Sequence, residues 1–354
     1  MTHSDLIRYR LYNQQLAQPT LTTPAEMVAW FGAVQAQDFP AGKWALGNRL
    51  PAGTDADIEL AIADRTIIRT WPMRGTLHFV AASDIHWLLD LIHPRSHAAY
   101  AGYLRRHELD ETVITKSHAV LEKALTGDNQ LKRSELKALL EEAGVPTDEN
   151  RLGLLLGRAS YDRLICHGVR RDKEFTFALL DEWVPRPKTL PREEALAELT
   201  RRYFTSHGPA TLADFSWWSS LTLTEGKAGI ELVKAYFRSE VVDGQTYWMP
   251  PSLPDLGISE PTAFLLPVYD EYLVAYKDRS AAFEGLDSAQ VAKAGNGIFS
   301  PVIVIDGRVV GTWNRKKTKQ TVLVETNLFV SLSSAQQRAL SAAIDRYQAF
   351  LNVL

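Results

Sequence analysis

One cysteine, Cys166, stands in 354 residues. That excludes a disulfide framework and a multi-thiolate metal cluster, and it fits a reducing compartment. No apolar run approaches the roughly 20 residues that a membrane helix needs, and the opening MTHSDLIRYR has no apolar segment of signal-peptide type. A cytoplasmic, nucleoid-associated protein is the expectation. Positive charge is not in excess either: 39 Lys and Arg against 42 Asp and Glu leave a formal net charge of −3. Contact with nucleic acid must then come from local basic patches. No segment repeats at the level of sequence. Gly295-Asn296-Gly297 is a lone small loop rather than a dinucleotide fingerprint, and Cys166-His167 has no second pair with which to hold a metal. No metal and no cofactor are expected.

The composition that remains, 45% hydrophobic and 23% charged, is that of a globular protein with room for two to four small units. Helical patterns cover 4–18 and 24–37; in the second, Met27, Trp30, Phe31 and Val34 recur at i, i+3, i+4, i+7, behind Thr22, Thr23 and Pro24 as start signals. A short helix at 57–64 precedes two β-rich runs, 66–71 and 76–80, around Pro-Met-Arg-Gly. Helices followed by a hairpin is the order of a winged helix. It recurs as helices over 117–125, 133–143 and 150–167 with a hairpin at 168–180. A third pass places helices over 192–207, 212–219 and 224–237, with a hairpin turning at Asp243-Gly244. The Pro-rich stretch 184–192 is the linker candidate. Beyond Pro250 strand signals dominate, with Asp306-Gly307 as one hairpin turn and the basic tip 314–319 as another. This segment reads as a β meander closed into a small barrel or sandwich. A capping box, Ser333-x-x-Gln336, then opens a final helix expected to bury Leu340, Ile344, Tyr347 and Leu351.

Chemistry-bearing residues are few. VQAQDFP puts Gln35 and Gln37 two apart at the end of a helical pattern, where a continuous helix would set their amides roughly 200° apart. Pro40 pushes Phe39 out of the α region, so the helix must stop between Val34 and Phe39. In extended backbone the two amides share a face. Spacing alone also fits two solvated glutamines at a helix end. RTWPMRGTLHFV gathers Arg69, Arg74 and His78 in one hairpin, equally readable as a basic surface. In YDEYLVAYKDR, Asp270 and Glu271 on a strand would face opposite ways, which fits structural ion pairs better than an acid/base pair. Gly153 and Gly157, between Arg151 and Arg158, suggest close approach to another helix or to a phosphate backbone.

Taken together, VQAQD, WPMRGTLHFV, LLPVYDEYLVAYKDR and PVIVIDGRVVGTWNRK resemble the AlkZ/YcaQ-like winged-helix DNA glycosylases, the crosslink-unhooking, azinomycin-resistance type. The resemblance runs from about residue 5 to 352. It implies an α+β, mainly helical chain of three tandem winged-helix units followed by a small β-barrel or meander and a terminal helix. The units would be 1–110 with the Gln-x-Gln motif, 111–185, 190–252 and 260–354. It further implies a monofunctional DNA glycosylase, a monomer, that hydrolyses the N-glycosidic bond of cationic N7-alkylated purines in double-stranded DNA and unhooks interstrand crosslinks. Gln35 and Gln37 would carry the catalysis, since relatives resembling YcaQ have Gln-x-Asp there and this chain keeps Gln-x-Gln. Asp38 and His78 are auxiliary candidates. Arg69, Arg74, Lys277, Arg279, Arg315, Lys316 and Lys317 are candidates for DNA contact, with Lys319 on the same tip. A winged-helix binding protein without chemistry, or a scaffold acting through protein contacts, are the other readings of the same residues.

Overall fold

A computed structural model describes residues 1–148, 150–185, 189–252, 260–287, 290–291, 300–317 and 322–351, without the side chains of Ala99 and Lys317. Part of the linker candidate (186–188), Gly295-Asn296-Gly297 and Lys319 lie outside the described residues. The chain folds as a mixture of helices and small antiparallel sheets in two compact units. One joins Met1–Glu59 to Leu196–Leu354, and the other is Leu60–Ala195.

In the first unit the chain's two ends share one core. Helices His3–Asn13 and Pro24–Phe31 each start with a capping box, Thr2 with Asp5 and Thr23 with Glu26, and Pro24 occupies the first turn. Helices Leu212–Ser219 and Leu223–Val233 precede the hairpin Arg238–Val242/Gln245–Met249. Its turn, Asp243-Gly244, has two successive positive φ values (49° and 76°), as a tight two-residue hairpin requires. Strands Ala263–Leu266, Val302–Ile305, Arg308–Lys317 and Val322–Leu328 pair antiparallel in chain order. The meander is therefore as expected, but among the described residues its four strands form an open sheet and no barrel is closed. Helix Ser334–Phe350 packs against Ala263–Leu266 and Phe39–Gly47. It buries Leu340, Ala343, Tyr347 and Phe350, a stripe turned slightly from the expected one, with Ile344 and Leu351 half-buried.

The second unit is built on the strands Thr76–Ala81, Ile67–Met73, Ile165–Arg171, Glu174–Leu179 and Leu131–Lys132, adjacent in that order. Both hairpins contribute, and Arg69 pairs with His167 where they meet. Pro72 lies at a register shift in its strand, where a missing N–H is tolerated. The helix expected over 150–167 ends at Tyr161, and 165–171 is strand. Arg163 at φ 62° turns the chain between them. The 22-residue helix Ile85–Arg106 has no counterpart in the sequence reading, because His93-Pro94-Arg95 interrupts its pattern. Tyr100 of that helix lies where a Cβ on Gly157 would stand, and its hydroxyl donates to the Leu154 carbonyl. Gly157 thus serves helix packing, whereas a Cβ on Gly153 would meet only the Arg133 guanidinium, 3.5 Å away. Arg151 and Arg158 are held in ion pairs with Asp148, Glu108, Glu111 and Asp162.

Candidate active site

The helix that should have run to residue 37 stops at Phe31. Gly32 adopts φ 83° and its N–H bonds back to the carbonyls of Val28 and Ala29, a stop that a side chain at this position would resist. Val34 and Gln35 are extended, Gln37 and Asp38 form a bend, and a new helix, Phe39–Gly47, begins at once. Asp38 is its N-cap, with Oδ1 accepting the Ala41 N–H at 2.9 Å, and Pro40 sits in the first turn. Asp-Phe-Pro is therefore a helix start rather than only a helix end. The two glutamines stand on non-helical backbone, so helix geometry no longer forces their amides apart. Gln35 is buried (8% exposed) and Gln37 is exposed. The new helix lies directly on this segment: a Cβ on Gly42 would stand 3.0 Å from Ala36 Cα and 3.1 Å from the Gln35 carbonyl.

Beneath Gln35 lies the YDE segment, which is a turn and a helical turn, not the strand expected. Tyr269 takes φ 63°, rare for a bulky side chain, and Asp270 caps Glu271–Val274 by accepting the Tyr272 N–H at 2.9 Å. Burial and the neighbouring Asp38 carboxylate push the Tyr269 phenol pKa up. Asp270 is buried and bound by Arg49 through both oxygens at 2.8 and 2.9 Å. Glu271, also buried, accepts the Gln35 backbone N–H at 3.0 Å on Oε1 and the Trp218 indole N–H at 2.9 Å on Oε2. His207 Nε2 lies 3.5 Å from Oε2. Burial holds the His207 pKa below its ordinary value, so the ring is neutral at neutral pH. Glu271 thus accepts an amide and an indole N–H with the His207 imidazole alongside, while Asp270 takes the ion-pair role expected of the segment. Sequence reasoning quoted this motif but missed Glu271, His207 and Trp218 as neighbours of Gln35.

A cleft of about 180 Å³ opens beside Asp38, lined among others by Pro40, Trp44, Trp313, Arg315 and Tyr347. Trp44 and Trp313 meet the Tyr347 ring edge-on at 4.8 and 5.0 Å and form its aromatic floor. Arg315 Nη1 reaches the Tyr347 hydroxyl at 3.4 Å. Lys316 is exposed, 3.9 Å from Glu325, and the Lys317 side chain lies outside the description. Lys277 is exposed; Arg279, half-buried, donates to the Leu273 carbonyl at 2.7 Å and lies over Trp217. Both line a second cleft, of about 610 Å³, with His3.

In the second unit Arg74 is half-exposed at the hairpin turn, 2.9 Å from His78 Nε2. Two candidates are corrected there. Arg69 is 6% exposed, its guanidinium 2.8 Å from His167 Nδ1 and stacked over Phe175, so it is not presented to a phosphate. His78 is fully buried, its Nδ1 2.9 Å from the Thr76 carbonyl, so it is not the exposed group an auxiliary role called for. Cys166 is buried and its thiol pKa is pushed up, so it is no nucleophile. Among the described residues, no group of three or more His, Cys, Asp or Glu could hold a metal ion, and no helix is long and apolar enough to cross a membrane.

Against known proteins, a family model described as DNA glycosylase AlkZ-like matches residues 28–350. Over 329 residues the sequence is 25% identical to an interstrand DNA cross-link repair glycosylase of Streptomyces sahachiroi, with 86% of this chain and 85% of the relative covered. The solved structure of Streptomyces sahachiroi DNA glycosylase AlkZ matches the fold with a TM-score of 0.81. It is 23% identical, and the match covers 100% of this chain and 98% of that one.

Proposed function

The chain belongs to the AlkZ-like DNA glycosylase family, enzymes that hydrolyse the N-glycosidic bond of DNA, and we propose that this member excises cationic N7-alkylated purines using Gln35 and Gln37. One observation carries the assignment of residues: both amides stand on non-helical backbone two positions apart, with the Gln35 N–H anchored to a buried carboxylate. An N7-alkylguanine already bears positive charge. It leaves as a neutral base with the electron pair of the C1′–N bond, so no general acid is needed. The remaining sugar is an oxocarbenium-like cation, as in other glycoside cleavage. Water adds at C1′ and its proton passes to solvent. Amide oxygens suit both tasks, since they accept a hydrogen bond from the water and aim partial negative charge at the cation.

By its likeness to the crosslink-repair relative, the same chemistry would release an interstrand crosslink joined through an N7-alkylated purine. The finer architecture follows the same reading: the helix-and-hairpin segments of 1–110, 111–185 and 190–252 are winged-helix units on double-stranded DNA, and the protein acts as a monomer. Arg74, Lys277, Arg279, Arg315 and Lys316, with Lys317, would meet phosphates and fix register, leaving the lesion to the glutamines. Release of 7-methylguanine from methylated duplex DNA tests the proposal. Wild type should release the base, whereas Gln35→Ala/Gln37→Ala should bind the DNA with little change and excise at least about 100-fold more slowly. Equal release by the two proteins would take the glutamines out of the chemistry, and no release by wild type would leave a winged-helix binding protein as the better reading.

A further inference from the structure

Glu271 is only 1% exposed and sits 236 positions along the chain from the residue whose N–H it accepts. A backbone N–H is ordinarily satisfied by a carbonyl, and a buried carboxylate is a costly substitute unless each oxygen is met by donors. Here each is: Oε1 by Gln35 N–H, and Oε2 by the Trp218 indole with His207 alongside. The His207 ring beside Oε2, which also packs on Trp218, is itself braced. Tyr203 stacks on His207 at 4.6 Å and 16°, and Ser206 Oγ lies 2.8 Å from His207 Nδ1. From the other side, the Arg49–Asp270 pair fixes the residue that precedes Glu271.

We propose that Glu271 is a positioning residue for the catalytic segment: its Oε1 fixes the backbone of Gln35, and the Trp218 indole orients the carboxylate through Oε2. The proposal rests on the glycosylase reading for its effect on rate, but not for its effect on the segment itself. Positional error of about 1 Å in a reacting group can cost about 100-fold in rate. Glu271→Gln tests it with the shape unchanged. An amide has one oxygen, so with the side chain in place either Gln35 N–H or the Trp218 indole must face an NH2 group. Adding Trp218→Phe removes one of the competing donors, and the amide oxygen can then return to Gln35.

Three quantities are read on the full chain: hydrogen exchange of the peptide spanning 33–38, affinity for methylated DNA, and single-turnover release of 7-methylguanine at saturating protein. In E271Q, exchange at 33–38 should rise about tenfold or more while that of 263–266 stays near wild type. Excision should fall about 10- to 100-fold with affinity kept within about twofold, and E271Q/W218F should regain part of the loss. Unchanged exchange at 33–38 both in E271Q and in Glu271→Asp, which draws both acceptors back by one methylene, overturns the proposal, as does a parallel fall of affinity and excision, or a double variant worse than E271Q. Should E271Q not fold, the same readings on Glu271→Asp decide. If wild type releases no 7-methylguanine, the functional reading fails and the exchange result alone judges the role of Glu271.

Discussion

Arg49 and Asp270 meet across 221 positions of chain through two hydrogen bonds of 2.8 and 2.9 Å, with side-chain exposures of 1% and 0%. The same guanidinium donates to the Gln14 side chain and to the carbonyls of Gln14 and Ala45, so one residue joins three segments. Arg49→Met should leave a buried carboxylate without its cation and destabilise the protein by about 3–5 kcal/mol. Urea unfolding measures this. Arg49→Met/Asp270→Asn should cost less than the sum of the single changes, because the pair is coupled; strict additivity would show that it is not.

Leaving-group charge should govern substrate choice. Beside the glutamines, Asp38 is occupied as a helix cap and Glu271 is buried with donors on both oxygens, so neither is placed to act as a general acid. Excision of 7-methylguanine should exceed that of uracil in the same duplex context by at least about 100-fold, the lower end of what a positioned acid contributes. Comparable rates for the two bases would mean that the protein protonates its leaving group.

Acid should loosen the unit that holds His93. Burial lowers the pKa of this imidazole from its ordinary 6.5 to about 4. The unfolded chain therefore takes up the proton first, so the stabilisation is complete above about 6.5 and is lost as pH falls toward 4. Each pKa unit corresponds to about 1.4 kcal/mol, which bounds the contribution near 3 kcal/mol. His167, buried beside Arg69 and Arg133, shifts in the same direction. His97 works oppositely: its hydrogen bond to Asp162 raises its pKa, and its contribution is lost as pH rises through the raised value. Denaturation midpoints followed from pH 7 to 4.5 should fall for wild type and fall less steeply for His93→Gln. Identical slopes would show that His93 does not couple to folding.

Local charge should set the salt dependence of DNA binding. Lys316 and Lys277 are exposed in a chain of net charge −3. Lys316→Glu should weaken binding and lower the slope of log affinity against log salt by about 1, as should Lys277→Glu. Excision at saturation should change little in both. A variant with unaltered affinity and slope places its residue away from the DNA.

Features decided by neighbours in sequence were legible. The starts of Pro24–Phe31 and Ser334–Phe350, and the turns Asp243-Gly244 and Asp306-Gly307, lie where capping and turn chemistry put them. Gly32 and Asp38 obey equally local rules, yet the i, i+3, i+4, i+7 pattern through Val34 masked the stop and the restart. Glu271 was illegible for a different reason. Strand-like composition around Asp270 predicted alternating faces, whereas a capped helical turn brings Asp270 to Arg49 and Glu271 to Gln35, Trp218 and His207. Partners drawn from residues 35, 207 and 218 leave no local signature. Arg69 likewise looked like surface charge until the second hairpin, 165–179, came to lie beside the first.

Because the first unit is made of Met1–Glu59 and Leu196–Leu354, its parts are separated in time as well as in sequence. Gln35 is synthesised 236 residues ahead of the carboxylate that holds its N–H. At a translation rate of roughly 5–20 residues per second, that interval lasts about 10–50 s. Throughout it a nascent chain carries both glutamines without the carboxylate that holds Gln35. An unfinished product ending before residue 271 would stay in that condition permanently. On the role proposed for Glu271, such a chain would hold the Gln-x-Gln segment without the carboxylate that fixes it, so base excision would be expected only from a chain completed past that residue.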